Sequence, residues 1–344
     1  MMEFVNKISK LVSKNVAILS VLVMAASLIQ PGTFLWVQTT WINYLLGVVM
    51  FGMGLTIKAS DFVLVFKRPI DVLIGVFVPY AVMFSLAMLL VWVFNLDQAL
   101  AIGVILVGVM PSGTSSNVFA LLANADMPLS ITVTTISTLL APIVTPLLAL
   151  FALGQTVDMN VQAMFMSIVQ VILIPILLAL VVRATLPKLV EKFLSALPVI
   201  SVAAVLAIVG AITSRNAANV ISSGLFILLI VGIHNLAGYA LGFGFIKLFK
   251  GSNTRATTIA LEVGMQNSSL ASTLAATHFA MYPMAAVPGV LKSIFMIVSA
   301  SILANVMAEK NRVEQTAGLG DLVSDHNKNN DLSFEEGTRL VPGD

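Results

Sequence analysis

The chain has 344 residues, 58% of them hydrophobic and only 10% charged, with a mean hydropathy of +1.01. A soluble domain carries roughly 25% charged residues, so a soluble enzyme, a nucleic-acid binder and a disordered scaffold are excluded and a polytopic membrane protein remains. The absence of cysteine excludes disulfides, thiolate metal sites and thiol catalysis.

In chain order, residues 1–14 come first, and within them Glu3–Lys14 alternates apolar and basic residues at helical spacing. That pattern predicts an amphipathic helix lying on the membrane surface. Apolar stretches then follow one another, each near the 20 or so residues needed to cross roughly 30 Å of hydrocarbon. Ten spans are predicted: Asn15–Gln30, Trp41–Ile57, Ile70–Phe94, Gln98–Ala123, Pro128–Leu153, Val161–Val182, Leu197–Thr213, Val220–Phe249, Thr254–Ala276 and Met284–Met307. The first runs straight into the others, which argues against a cleaved signal peptide. Residues 309–344 are polar, mixed in charge and rich in Asn, Gly and Asp, and read as a disordered cytoplasmic tail.

Lys and Arg test the count independently, because cytoplasmic loops are enriched in them. Lys7, Lys10, Lys14, Lys58, Lys67, Arg68, Arg183, Lys188, Lys192, Lys247, Lys250 and Arg255 all fall in loops of one side. Only Arg215 falls in a loop of the other. Both ends of the span array are therefore expected in the cytoplasm, which an even number of spans requires.

Two places combine Gly, Met and small hydroxylic residues inside an apolar span. One is Gly108-Val-Met-Pro-Ser-Gly-Thr-Ser-Ser-Asn117, in span four; the other is Glu262-Val-Gly-Met-Gln-Asn-Ser-Ser269, in span nine. An odd number of spans separates them, so the two halves face opposite ways across the membrane. Paired interrupted spans in inverted repeats mark the binding site of secondary transporters. Pro111 and Gly113 weaken the helix where Ser112, Thr114, Ser115, Ser116 and Asn117 offer oxygens. Backbone freed there must be buried in protein or line a cavity, and oxygen ligands suit a hard cation such as sodium.

Apart from Glu262, every acid in the first 308 residues falls in a predicted loop, in a terminal segment or, for Asp71, at the edge of a span. An ionised side chain inside a span costs at least about 2.5 kcal/mol, so Glu262 requires a cation, a proton or a basic partner. Ser130 and Thr134, four apart on one helix face, add two hydroxyls. Lys292 is the only base placed within a span away from its ends, and three roles stay open for it: snorkelling, binding an anionic substrate, or countercharge to Glu262. His234, beside Asn235 in span eight, reads as a packing residue rather than a proton relay, and His278 has no ligand cluster near it. No P-loop or metal-hydrolase spacing is present, so the chain is not expected to be an enzyme or an ATP-driven pump.

Glu262-Val-Gly-Met-Gln-Asn267, together with Pro-Ser-Gly-Thr-Ser-Ser116-Asn117 and Ser130/Thr134, resembles the bile acid:sodium symporter family, particularly its bacterial members. The resemblance covers nearly the whole chain except the tail. It implies an all-α membrane protein of ten helices in two inverted five-helix repeats, with broken helices four and nine crossing. Within a transporter domain of residues 15–308, panel helices (about 15–57 and 161–213) would pack on core helices (about 70–153 and 220–307).

Carried over position by position, the resemblance implies a first sodium site at Ser116, Asn117, Ser130, Thr134 and Glu262. It implies another at Glu262 again, the backbone of Val263 and Met265, and the side chain of Gln266. In that family the latter site also takes a glutamine that precedes an aromatic residue in span three. Here the matching dipeptide is Pro79-Tyr80, so that ligand is absent and the sodium stoichiometry is open. Met296-Ile297 stands where bacterial bile-acid-binding relatives carry His-Asn, and Lys292 where they carry an aromatic. Asn267, Thr114 and Lys292 are the candidate substrate contacts.

The implied activity is sodium-coupled symport of an organic anion such as a bile acid, pantoate or another small carboxylate, by alternating access. Sodium, the anion and the lipid bilayer are the expected partners, in a multi-pass protein of a bacterial plasma membrane, with a monomer as the working expectation. A proton-coupled carrier using Glu262 and a non-concentrating channel or receptor are the competing readings.

Overall fold

The computed structural model describes residues 11–12, 15–58, 63–194 and 196–338. The surface helix expected over residues 1–14 lies outside the described residues except for Leu11 and Val12. Among the described residues the fold is all helical, with no strand beyond one isolated bridge.

The main helices are α1 (Val16–Ile29), α2 (Thr39–Gly54), α3 (Pro69–Val93), α4 (Gln98–Gly108), α5 (Ser115–Leu122) and α6 (Met127–Leu153). Then come α7 (Val161–Thr185), α8 (Leu197–Arg215), α9 (Ala217–Leu248), α10 (Asn253–Gly264), α11 (Ser268–His278) and α12 (Val287–Thr338). Among the described residues, six stretches are long and apolar enough to cross a membrane unaided: α3, α6, α7, α8, α9 and Pro283–Glu314. The shorter pieces are α1 and α2, and the pairs α4–α5 and α10–α11, each interrupted in the middle.

Loop acids set several helix starts. Asp97 accepts the Leu100 N–H at 3.0 Å and Asp126 that of Leu129 at 3.2 Å, capping α4 and α6. Pro69, Pro128 and Pro198 stand in first turns, where a missing N–H costs nothing. At one end of the bundle Arg68 pairs with Asp71 and Asp126, and Arg255 pairs with Asp71 at 2.6 Å. This network ties together the starts of α3, α6 and α10.

Helix α2 packs on α7 and α8, and α8 on α1. Separately, α9 packs on α10, α12 and α3, while α3 packs on α4 and α6. Lipid tails are as apolar as leucine, so close backbone approach rather than hydrophobicity holds such contacts. At Gly264 a Cβ would lie 2.2 Å from the Tyr239 ring, so α9 can lie this close to α10 only because the residue is glycine.

The C-terminal boundary needs correction. Rather than ending near Met307, α12 continues through residues 309–316 and packs there. Asn311 is fully buried and donates to the Ala123 carbonyl at 2.8 Å. Glu314 accepts the N–H groups of Asn253 and Thr254 at 2.8 and 2.9 Å, capping α10. Composition suggested a solvated tail, but these polar side chains satisfy exposed helix ends from distant parts of the chain.

Candidate functional site

The interruptions of α4–α5 and α10–α11 meet. Ser112 and Gln266 form an antiparallel bridge. The Gly113 N–H donates to the Met265 carbonyl at 2.7 Å, and the Asn267 N–H to the Pro111 carbonyl at 2.9 Å. Each break thus satisfies backbone groups that the other leaves open, as a hydrocarbon setting demands. Three further bonds trim the ends. The Ser112 hydroxyl donates to the Glu262 carbonyl at 3.0 Å, and Asn235 Nδ2 donates to the Gly264 carbonyl at 2.7 Å. Ser299 in turn fixes the Asn235 amide oxygen at 2.7 Å.

Glu262 lies in the last turn of α10 and is wholly buried. Its Oε1 accepts from the hydroxyls of Ser116 and Ser130, each at 2.6 Å, and its Oε2 from Thr134 at 2.9 Å. Asn117 Oδ1 lies 2.8 Å from the Ser130 hydroxyl and 3.4 Å from that of Thr134. The hydroxyls of Ser116 and Thr134 are themselves 3.2 Å apart. The five side chains proposed from sequence for a first cation site therefore converge from α5, α6 and α10. Ser130 and Thr134 share a face of α6 just past its Asp126 cap, while Ser116 and Asn117 open α5.

The other group of residues is engaged differently. Gln266 is wholly buried, and its Oε1 accepts from the Lys292 ammonium at 2.6 Å. The Met265 carbonyl is taken by Gly113. Pro79 is a buried interior residue of α3 with no side-chain donor or acceptor. Its neighbour Tyr80 donates to the Ser137 carbonyl at 3.0 Å. Lys292 is fully buried and does not snorkel, and among the described residues it forms no ion pair with Glu262.

Beside the crossing is a cavity of about 320 Å³ lined by Thr114, Ser115, Gln266, Asn267 and Ser293, and facing them by Val49, Pro198 and Ser201. Another cavity, of about 440 Å³, shares Val49, Thr114, Pro198 and Ser201, touches Asn117, and extends to Lys58 and Leu194. Thr114 and Asn267, two of the expected substrate contacts, thus line the cavity at the N-termini of α5 and α11. Lys292, the third, does not line it. His234 Nε2 lies 2.9 Å from the Met83 carbonyl, a packing contact, and His278 lies 2.9 Å from the Ser167 hydroxyl. Asn235 and Ser299 support the break without belonging to either sequence motif. The available signal was a polar residue inside an apolar span.

The chain is similar to known sodium-dependent transporters. The sequence profile of the sodium bile acid symporter family matches residues 43–223. An uncharacterized sodium-dependent transporter of Bacillus subtilis, YocS, is 40% identical over 94% of this chain and all of its own. A probable chloroplastic sodium/metabolite cotransporter of Arabidopsis thaliana, BASS1, is 32% identical over 88% of this chain and 76% of its own. Its counterpart in Oryza sativa subsp. japonica is 33% identical over 82% of this chain and 69% of its own. These relatives are named as transporters and cotransporters, not enzymes, and the apolar helices make this chain a multi-pass membrane protein. The chain belongs to the sodium bile acid symporter family, a family of sodium-dependent transporters.

Proposed function

We propose that the chain is a symporter that couples inward sodium movement to uptake of a small organic anion by alternating access. One observation carries this reading. Around Glu262, six oxygen–oxygen contacts between 2.6 and 3.4 Å involve only three hydroxyl protons, those of Ser116, Ser130 and Thr134. With Glu262 ionised and the Asn117 amide oxygen turned toward the hydroxyls, half of these contacts have no proton of their own. A compact cluster of oxygens around a buried carboxylate is the chemistry of a hard-cation site. Sodium held by Ser116, Asn117, Ser130, Thr134 and Glu262 would remove both the proton deficit and the buried charge.

The choice of an anionic substrate rests on the cavity. The N-termini of α5 and α11 bring partial positive charge to it at Thr114 and Asn267, which favours an anion. Val49, Pro198 and Val202 give it an apolar lining. A bile acid, pantoate or another small carboxylate fits that chemistry.

Counting each broken pair as one crossing gives ten crossings in two inverted halves, with breaks in the fourth and ninth. In that scheme α1, α2, α7 and α8 form a panel, and the remaining helices a core carrying both breaks. The Arg68–Asp71–Arg255 network supports placing the loops before α3 and α10 on one side, the cytoplasmic one by the charge rule. The cavity extending to Lys58 then opens inward, and the membrane is a bacterial plasma membrane with both ends of the chain on its inner side.

The test is thermal-shift screening of purified protein against small organic anions, with and without sodium, followed by uptake into proteoliposomes. A ligand that stabilises the protein only when sodium is present, and accumulates only down a sodium gradient, is expected. Accumulation that follows a proton gradient at zero sodium, or none under any gradient, would remove the reading.

A further inference from the structure

Lys292 is a buried cation to which sodium-coupled anion uptake gives no task. It does not line the cavity beside Thr114 and Asn267. Nor does it form an ion pair among the described residues. Its Nζ instead donates to Gln266 Oε1 at 2.6 Å, an uncharged oxygen on the break that follows Glu262. Closeness of α12 to α11 makes this reach available. Gly289, one turn earlier, sits where a Cβ would be 2.3 Å from the Ser272 hydroxyl and 2.8 Å from the Ser268 carbonyl.

A full-length ammonium held by a neutral amide oxygen, wholly inside protein, is bound as a metal cation would be. Lys292 brings its ammonium onto the side-chain oxygen of Gln266. An ion arriving beside Gln266 would meet a like charge within a few ångströms, in surroundings that screen it poorly. The Glu262 cluster, by contrast, is built from α5, α6 and α10 and none of its contacts involves Lys292.

We propose that the Lys292 ammonium is a tethered cation occupying the second cation position at Gln266, so that one sodium ion, at Glu262, is carried per cycle. This rests on the sodium-coupled reading of the chain. Its consequence is electrical: one sodium with one monovalent anion moves no net charge, so the sodium concentration gradient alone drives the step.

The experiment is equilibrium binding of radiolabelled sodium to the purified full-length protein. One ion per chain is expected in the natural protein and in Lys292→Arg, and two in Lys292→Ala, which leaves a cation-sized space beside Gln266. Two ions in the natural protein would overturn the inference and leave the sodium-coupled reading intact. One ion in both the natural protein and a folded Lys292→Ala would place the lysine outside any cation position and overturn it as well. No bound sodium in folded natural protein would remove the sodium reading and this inference together. If Lys292→Ala does not fold, the count in the natural protein decides.

Discussion

The Gly113 N–H donates to the Met265 carbonyl at 2.7 Å, and this one bond ties two helix breaks from opposite halves of the chain into a single junction. Interrupted helices are tolerated in a membrane only where their freed backbone groups find partners, and here each break is the partner of the other. The junction also holds Glu262 and Gln266 within a few residues of the crossing, so its geometry is the geometry of the site.

Gly113 has no positive φ, so its glycine is required by closeness alone. A Cβ there would stand 3.1 Å from the Gln266 carbonyl oxygen, 3.2 Å from its carbon and 3.3 Å from the Met265 oxygen. These are backbone atoms that cannot rotate away. Gly113→Ala is expected to cost about 1–3 kcal/mol of stability and to weaken sodium binding by spreading the breaks. Melting curves with and without sodium would check it, and an unchanged midpoint with an unchanged sodium shift would count against the junction's role.

How far the site is legible in sequence follows from what each residue needs. Glu262 stands out because a lone carboxylate in an apolar span demands a partner, and Ser130 and Thr134 because a four-residue spacing shares a helix face. The span positions are legible because hydrocarbon thickness sets their length. Lys292 is different. Its contact with Gln266 depends on how closely α12 approaches α11, a distance no one-dimensional pattern contains. Asn311 and Glu314 hide for another reason. Polar composition reads as solvated tail, yet these side chains are consumed by the ends of α5 and α10, far away in the chain.

Replacing Glu262 by glutamine separates charge from shape. The amide keeps the volume and one oxygen but removes the negative charge that a cation would neutralise. A buried charge without its counterion is costly, so Glu262→Gln is expected to melt no lower than the natural protein in sodium-free buffer. Its sodium-induced rise in melting temperature should vanish. A full sodium shift in this variant would place the ion elsewhere.

Thr134 allows the oxygen to be tested apart from the side chain. Thr134→Val is nearly the same shape but lacks the hydroxyl 2.9 Å from Glu262 Oε2. Losing one ligand oxygen is expected to raise the sodium concentration for half-maximal stabilisation about tenfold, the equivalent of ~1.4 kcal/mol. Thr134→Ser, which keeps the oxygen, should stay near the natural value. Ser130→Ala should behave like Thr134→Val, since its hydroxyl meets both Glu262 and Asn117. Equal effects of the valine and serine variants would mean that packing, not coordination, sets the response.

Glu314 tests whether the continuation of α12 belongs to the working protein. Its two carboxylate oxygens accept the first N–H groups of α10, the helix that carries Glu262 at its other end. Asn311, one turn earlier, holds the carbonyl that ends α5. One helix thus pins the near ends of both broken segments that form the cation cluster. An anionic cap at a helix N-terminus is worth about 0.5–2 kcal/mol. Glu314→Ala is accordingly expected to lower the melting temperature modestly and to weaken sodium stabilisation, because α10 loses its anchor. A chain ending after Ala308 should lose more, as both contacts go, whereas a chain ending after Thr316 should melt like the full-length protein. Melting curves of these three variants in the same detergent discriminate the cases. Equal stability for the chain ending after Ala308 would return residues 309–316 to the status of a dispensable tail.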